Sequence, residues 1–186
     1  MYFLPKPKKL TETNGEFFVE SGIRIVSESE GLKTSTGWAL PKVLKDELLR
    51  YAGVEATLTA GTAYKGDISL RLVGALPPQS YVLSITEEQI EILGRDRAGV
   101  GYGIQTLCQI IRNKGALLPA LRIEDKPDIP ARGFYMDQAR GRSFKLDTIK
   151  KQIDLLSRYK LNQYQLYIEQ SFAFRGFSEM WREDSV

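Results

Sequence analysis

The spacing of apolar residues indicates a series of short strands in the first two thirds of the chain. Four stretches within residues 54–94, VEATLTA, DISLRLVG, SYVLSI and QIEILG, are rich in β-branched and alternating apolar residues, as strands are. The polar TEE between the last two predicts a hairpin. Earlier, FFVE (17–20) and IRIV (23–26) are separated by Ser-Gly and predict a first hairpin or strand pair. A further short strand is predicted at Leu121–Ile123.

Two other segments have the period of a helix. In the first, Leu40, Leu44 and Leu48 recur every four residues, and Gly53 lies just past the end. Thr36 is a candidate N-cap for this helix, although a proline at position 41 disturbs its first turns. The second helix is predicted over DRAGVGYGIQTLCQIIRNKG, where a glycine at 115 provides a stop. Its apolar face is formed by Val100, Ile104, Leu107, Cys108 and Ile111.

The GVGYG stretch in this second helix invites comparison with a phosphate-binding loop. A dinucleotide fingerprint needs a G-x-G-x-x-G spacing between a strand and a helix. Here Gly99, Gly101 and Gly103 alternate and lie on the helix or at its start. We therefore expect them to allow close approach of the helix backbone to a sheet, because glycine has no side chain to hold the two elements apart.

These elements predict an α+β fold for residues 1 to about 125, with an antiparallel or mixed sheet and both helices on one face. After Pro130 the pattern changes to strand, helix and strand. GFYMDQA is followed by FKLDTIKKQIDLLSRYK, whose apolar face is Ile149, Ile153, Leu156 and Tyr159, and then by LNQYQLYIE. Such a unit normally has parallel strands. It begins a parallel architecture without completing one, since an eightfold barrel takes about 250 residues.

Composition excludes several kinds of chemistry. The chain has no histidine and one cysteine, Cys108, so Ser-His-Asp and Cys-His catalysis, histidine-ligated metals, cysteine-based zinc sites and intramolecular disulfides are all excluded. The net charge of +3 is spread along the chain, and the only basic run, Lys6, Lys8 and Lys9, is broken by prolines. No nucleic-acid partner is therefore expected. No cofactor and no metal are expected either.

Membrane and targeting signals are also weak. No apolar run approaches the roughly 20 residues of a spanning helix. MYFLPKPKKL lacks the charged-then-apolar order of a secretion signal. The localisation therefore stays open: the protein is expected to be cytoplasmic if Met1 is native, and secreted or periplasmic if a signal has been removed.

Three motifs resemble, in order, the N-terminal portion of family 20 glycoside hydrolases, the β-N-acetylhexosaminidases. They are Y-G-I-Q-T-L, D-K-P-D-I-P-x-R-G and Y-K-L-N. The resemblance implies that residues 1–127 form a small α+β accessory domain. It also implies that residues 128–186 begin a (β/α)8 barrel, a truncated TIM-type barrel that would here contain its first β-α-β unit.

The resemblance also assigns roles to individual residues. Arg132 matches an arginine that opens the first barrel strand and binds hydroxyls of the terminal sugar, for which a five-donor guanidinium is suited. Asp137 matches an aspartate of the same strand, for which we expect a structural role, anchoring the backbone or Arg140. Glu169 is a candidate for a carboxylate that orders the substrate site. The alternative for Glu169 is a strand-end carboxylate paired with a nearby arginine.

Two departures from the family pattern are visible. The family usually follows its D-x-x-R piece with a histidine and an aromatic residue, whereas the sequence from the arginine of that piece onward is Arg140, Gly141, Arg142, Ser143 and Phe144. The second strand usually runs through two histidines into a pair of aspartates, and QLYIEQSF contains neither. These differences leave the sugar preference open and suggest a divergent branch.

The activity implied by the resemblance is removal of a terminal β-linked N-acetylhexosamine by a retaining, substrate-assisted mechanism. Its Asp-Glu pair would lie downstream, so no catalytic residue is expected within this chain, which would be inactive alone. Its exposed barrel edges predict self-association. Two alternatives are a family 84 type β-N-acetylglucosaminidase, whose barrel also opens with an Arg-Gly strand, and a non-catalytic carbohydrate-binding or packing module.

Overall fold

A computed structural model describes residues 1–32, 39–141, 143–169 and 176. Two compact units divide the chain, Met1–Pro130 and Ala131–Val186. The candidate N-cap Thr36 lies outside the described residues. Within the described part of the chain, no helix has both the length and the apolar character needed to cross a bilayer.

The first unit, apart from residues 33–38, contains seven strands and two α-helices. The strands are β1 (Lys9–Phe18), β2 (Ile23–Ser27), β3 (Ala56–Ala60), β4 (Ile68–Leu72), β5 (Tyr81–Ile85), β6 (Ile90–Gly94) and β7 (Leu117–Asp125), and the helices are α1 (Ala39–Ala52) and α2 (Arg97–Lys114). A short 3-10 helix spans Glu30–Leu32. The strands form one sheet in the order β1-β7-β5-β6-β4-β2-β3. The four strands predicted within residues 54–94 are therefore confirmed.

The sheet is mixed, and its pairing differs from the prediction in one place. β5 and β6 form the predicted antiparallel hairpin. The expected pairing of β1 with β2 is wrong, because β1 pairs antiparallel with β7 while β2 lies parallel between β3 and β4. The burial of β2 explains this difference: four of its five residues are buried, as in an interior parallel strand. β7 is also longer than predicted, which gives β1 a partner along most of its length.

A single hydrophobic core joins the sheet to both helices. Leu44 and Leu48 of α1 are fully buried, and Leu40 packs against the same cluster. All five residues of the predicted apolar face of α2 are buried there as well. α2 begins after Asp96, whose side chain accepts a hydrogen bond from the backbone N–H of Gly99, and it ends at Gly115. The α+β prediction, with a mixed sheet and helices on one face, is confirmed for this unit.

The glycines of α2 lie where the helix approaches its neighbours. A Cβ atom on Gly99 would overlap the backbone carbonyl oxygen of Ser80. On Gly103 it would lie 2.5 Å from Cγ2 of Ile92 on β6. The GVGYG stretch therefore serves helix-to-sheet packing, as predicted.

The described part of the second unit contains β8 (Gly133–Asp137), α3 (Leu146–Arg158) and β9 (Gln163–Tyr167). β8 and β9 pair in parallel, which confirms the orientation predicted from the strand-helix-strand pattern. Among the described residues of this unit, only Lys160 is buried. Ile149 and Leu156 of α3 are half-buried, and Ile153 is exposed. The described residues of this unit therefore form no apolar core comparable with that of the first.

Candidate functional site

The carboxyl ends of β8 and β9 bring five side chains with polar or aromatic groups to one edge. The strands are parallel and in register, with Asp137 beside Tyr167. Parallel α/β folds bind ligands at this edge, because the loops that follow the strands converge there. We call this group the carboxyl-end cluster, and it comprises Tyr135, Asp137, Arg140, Tyr167 and Glu169.

Asp137 organises the backbone that follows β8. Its Oδ1 atom accepts hydrogen bonds from the N–H groups of Ala139, at 2.8 Å, and Arg140, at 3.2 Å. An aspartate that bonds to the backbone two and three residues ahead is a common means of fixing a turn. This contact confirms the structural role expected for Asp137, and it positions the arginine that follows.

Glu169 is held by two donors. Nη2 of Arg140 lies 3.0 Å from its Oε1 atom, and the hydroxyl of Tyr167 donates to the same oxygen at 2.6 Å. The Arg140 guanidinium also lies 6.0 Å from the centre of the Tyr167 ring. The arginine-paired carboxylate that we considered as an alternative is therefore present. Contact of Glu169 with a sugar stays a prediction.

Two tyrosine rings line the same edge. The rings of Tyr135 and Tyr167 lie 5.7 Å apart between centres and are tilted by 34°. The hydrogen bond to Glu169, followed by partial desolvation and the charge of Glu169, raises the pKa of Tyr167 to about 12. Desolvation and the charge of Asp137 also raise the pKa of Tyr135. Both phenols are therefore neutral at physiological pH, and the cluster combines aromatic surface with a charged hydrogen-bonding pair.

Arg132 lies at the opposite end of β8 from this cluster. Its Nε and Nη2 atoms donate to the carbonyl oxygen of Lys160 at 3.1 and 2.7 Å. Its backbone N–H donates to Oδ1 of Asn162 at 2.9 Å, and its carbonyl accepts from the Asn162 N–H at 2.8 Å. These bonds tie the connection between α3 and β9 to the start of β8. The sugar-binding role of Arg132 stays a prediction.

Sequence reasoning missed three members of the cluster as candidates for ligand binding. Arg140 is expected from sequence only as a residue that Asp137 anchors, and Tyr135 and Tyr167 only as members of their strands. A usable signal was present, because Arg140 directly follows the predicted strand GFYMDQA and Tyr167 lies near the end of the predicted strand LNQYQLYIE. Their contact with Glu169 required the register of the two strands.

Residues 1–126 match the family model described as glycosyl hydrolase family 20, domain 2. The chain belongs to glycoside hydrolase family 20. The resemblance carried by the three sequence motifs is thereby confirmed, and the family 84 alternative is not favoured. The match covers nearly all of the first unit. The mixed sheet and two helices of this unit therefore form the accessory domain of family 20.

Other family 20 proteins resemble the chain over most of its length. The β-hexosaminidase of Porphyromonas gingivalis is 29% identical over 184 residues, covering 92% of this chain and 23% of that protein. The β-N-acetylhexosaminidase of Cellulomonas fimi is 34% identical over 181 residues, covering 92% of this chain and 35% of that protein. The chain thus spans about a quarter to a third of the length of these relatives.

Solved family 20 structures show the same fold. The β-N-acetylhexosaminidase of Bacteroides fragilis superposes with a TM-score of 0.71 at 27% identity, over 88% of this chain and 32% of that one. The N-acetyl-β-hexosaminidase of Streptomyces plicatus, solved with Thio-NAglucal, gives a TM-score of 0.77 at 25% identity, over 90% of this chain and 34% of that one.

Proposed function

We propose that the chain is the N-terminal part of a β-N-acetylhexosaminidase that removes terminal β-linked N-acetylhexosamine. Residues 1–127 would form its accessory domain and residues 128–186 the first β-α-β of a (β/α)8 barrel. The names of the family 20 relatives support the activity. The exposure of Phe134, Leu146 and Leu166 supports the barrel, because neighbouring strands and helices would cover such residues.

The carboxyl-end cluster is the observation that carries a ligand-binding role for this part of the enzyme. In barrels built from β-α-β units the substrate is bound at the carboxyl ends of the strands, and residues at the other end serve stability. Arg140 and Glu169 lie at the carboxyl ends of the two strands. Arg132 lies before β8, at the opposite end. We therefore assign sugar binding to the cluster and treat Arg132 as the competing candidate.

The chemistry of the cluster suits a polyhydroxylated ring. Within the described residues, both donors to Glu169 bond to Oε1, so Oε2 is the oxygen offered to a sugar hydroxyl. The guanidinium of Arg140 has five N–H groups and can donate to a second hydroxyl. The neutral tyrosines can face the apolar C–H surface of the sugar.

The mechanism expected for the whole enzyme is retaining and substrate-assisted. The carbonyl oxygen of the 2-acetamido group attacks the anomeric carbon, a carboxylic acid protonates the leaving oxygen, and water then opens the intermediate. We assign this acid/base work to an Asp-Glu pair outside the present chain. The residues of the carboxyl-end cluster would orient the sugar for that attack.

Hydrolysis of 4-nitrophenyl N-acetyl-β-glucosaminide tests this function. We expect turnover by the longer protein that contains this chain and none by the 186-residue chain alone. Turnover by the chain alone would refute the location of the acid/base pair. A folded longer protein that cleaves other aryl glycosides but no N-acetylhexosaminide would refute the substrate.

Substitution of the two arginines in the longer protein separates the competing sites. We expect Arg140→Ala to lower kcat/KM by about 30- to 1000-fold, the equivalent of roughly 2 to 4 kcal/mol for charged hydrogen bonds in a preorganised site. Arg132→Ala should instead lower the stability of the second unit. If Arg132→Ala lost activity with its folding intact while Arg140→Ala had no effect, the assignment made from sequence would be correct.

A further inference from the structure

The seven-stranded sheet has two outer strands, β1 and β3, and they differ in how their edges are protected. β1 has Lys9, Glu12 and Glu16 along its length, and its register with β7 shifts between Glu12 and Glu16. Charged side chains and irregular register are the features by which natural sheets prevent pairing with another chain.

β3 has neither feature. Its sequence, ATLTA, contains no charge and no proline, and its parallel register with β2 is continuous from Ala56 to Ala60. In the part of the chain that the structure describes, no strand pairs with its outer side. An uncharged regular edge of this kind offers unpaired N–H and C=O groups to an added strand.

The sequence of β3 is also the same in both directions. If two copies meet antiparallel about a two-fold axis at Leu58, each residue faces its own kind: Leu58 faces Leu58, Ala56 faces Ala60, and Thr57 faces Thr59. Threonine pairs across antiparallel strands are favourable. We propose that β3 pairs with β3 of a second copy of this chain, so that two seven-stranded sheets join into one.

The charges that flank β3 fit the same arrangement. Glu55 of one copy would face Gly61 of the other, so no like charges meet at the ends of the paired strands. Lys45 and Glu55 also line a groove of about 560 Å³ beside β3, which provides one charge of each sign per copy. A two-fold axis at Leu58 places the two copies of this groove at opposite ends of the paired strands, so the like charges of the two copies stay apart.

Apolar surface beside the strand adds to the proposed contact. Leu49 of α1 lines the same groove and has 53% of its surface exposed. A second copy would cover this side chain in addition to forming backbone hydrogen bonds. This interface is independent of the proposed function, and it is distinct from self-association through the exposed residues of β8, β9 and α3.

A charge-pairing experiment on the full chain tests the proposal by sedimentation velocity over a concentration series. The double variant T57K/T59K places lysine opposite lysine twice, and we expect it to weaken dimerisation about tenfold or more. T57K/T59E places lysine opposite glutamate twice and should restore the dimer, with an affinity that falls as salt rises. T11K/T13K makes the same change on β1 and should leave the dimer unaffected.

Cross-linking gives a second measurement that does not depend on affinity. The sole native thiol, Cys108, is buried, so a disulfide between two copies can be attributed to the added cysteine. Oxidation of L58C should yield a disulfide-linked dimer, because residue 58 faces itself across the axis, whereas T11C should not. A wild type that stays monomeric at all concentrations would overturn the proposal. The proposal would also be overturned if T57K/T59K left the association intact and Leu166→Lys abolished it, because the contact would then involve β9 and not β3.

Discussion

At the scale of single residues, three glycines of α2 differ in what an added methyl group would meet. On Gly99 the methyl would overlap the carbonyl of Ser80, and on Gly103 it would lie 2.5 Å from Ile92. On Gly101 the nearest atom is Cδ2 of Leu40, at 3.2 Å, the end of a flexible side chain. The same substitution should therefore have opposite outcomes along one helix.

Gly99→Ala and Gly103→Ala should lower the free energy of unfolding by about 1 to 3 kcal/mol, the usual effect of overpacking. Gly101→Ala should be close to neutral, or stabilising by up to about 1 kcal/mol through helix propensity. Urea unfolding of the three variants checks this. Equal changes in the free energy of unfolding at all three positions would show that the close approach of α2 to the sheet does not determine the cost of an added methyl group.

A second residue-scale prediction concerns the phenol of Tyr167, whose pKa is raised to about 12 by its bond to Glu169 and by desolvation. Because the folded-state pKa lies above the ordinary value near 10, the stabilising effect of this contact is complete below pH ~10. It is lost as the pH rises towards 12. Glu169→Gln should move the pKa of Tyr167 back towards its ordinary value.

NMR titration of the tyrosine ring carbons, assigned with Tyr167→Phe, measures this change. Glu88→Gln is the control, since Glu88 belongs to the first unit and its nearest ion partner is Lys65. A Tyr167 pKa that is the same with and without the Glu169 carboxylate would contradict the hydrogen bond, and with it the arrangement of the carboxyl-end cluster.

At the scale of elements, α1 and α2 are joined by an ion pair that is largely removed from water. Nε of Arg112 lies 2.6 Å from Oε2 of Glu47, and the Glu47 side chain is only 8% exposed. The Arg112 guanidinium also lies 5.7 Å from the centre of the Tyr51 ring. Removal of one partner from such a pair leaves the other charge poorly solvated.

Glu47→Gln should lower the free energy of unfolding by about 1 to 3 kcal/mol, less than for a fully buried pair because Arg112 retains some solvent contact. Asp46→Asn is a matched control on the next residue. It removes the exposed pair of Asp46 with Lys42 and should cost at most about 0.5 kcal/mol. Chemical denaturation that finds the two variants equal would refute the role of the helix-joining pair.

How far sequence predicts these elements depends on whether their signals are local. The β5–β6 hairpin and the face of α2 follow from turn residues and periodicity within about 20 residues, and both were predicted correctly. The partner of β1 is β7, about 100 residues later, and no local pattern reports such pairing. The short Ser-Gly link is a local signal, and it favoured pairing of β1 with β2 because nothing local indicates the pairing with β7.

The candidate site shows the same division. The backbone anchor at Asp137 was predictable, because an aspartate bonds to the residues that follow it. The assignment of Arg132 rested on the family resemblance, supported by the chemistry of the guanidinium, which is the same for any arginine. What distinguishes Arg132 from Arg140 is which end of the parallel pair each occupies and which group it contacts.

At the scale of the whole molecule, burial is distributed unevenly between the two units. Among the described residues, those of the hydrophobic core all belong to the first unit, from Phe3 to Ile123. In the described part of the second unit, Phe134, Leu146 and Leu155 are among the large apolar residues that remain exposed. Since apolar burial is the main favourable term in folding, the two units should differ in stability.

Hydrogen exchange followed by mass spectrometry should therefore show two levels of protection in the 186-residue chain. Amides of β5, β6 and α2 should exchange only on global unfolding of the first unit, whereas those of β8, α3 and β9 should exchange through local opening at much lower free energy. In the longer protein, protection of the second set should rise while the first changes little, because further barrel strands would bury β8 and β9. Equal protection of both sets in the isolated chain would show that the β-α-β unit is stable without a barrel, and would remove the support that its exposed apolar residues give to the proposed function.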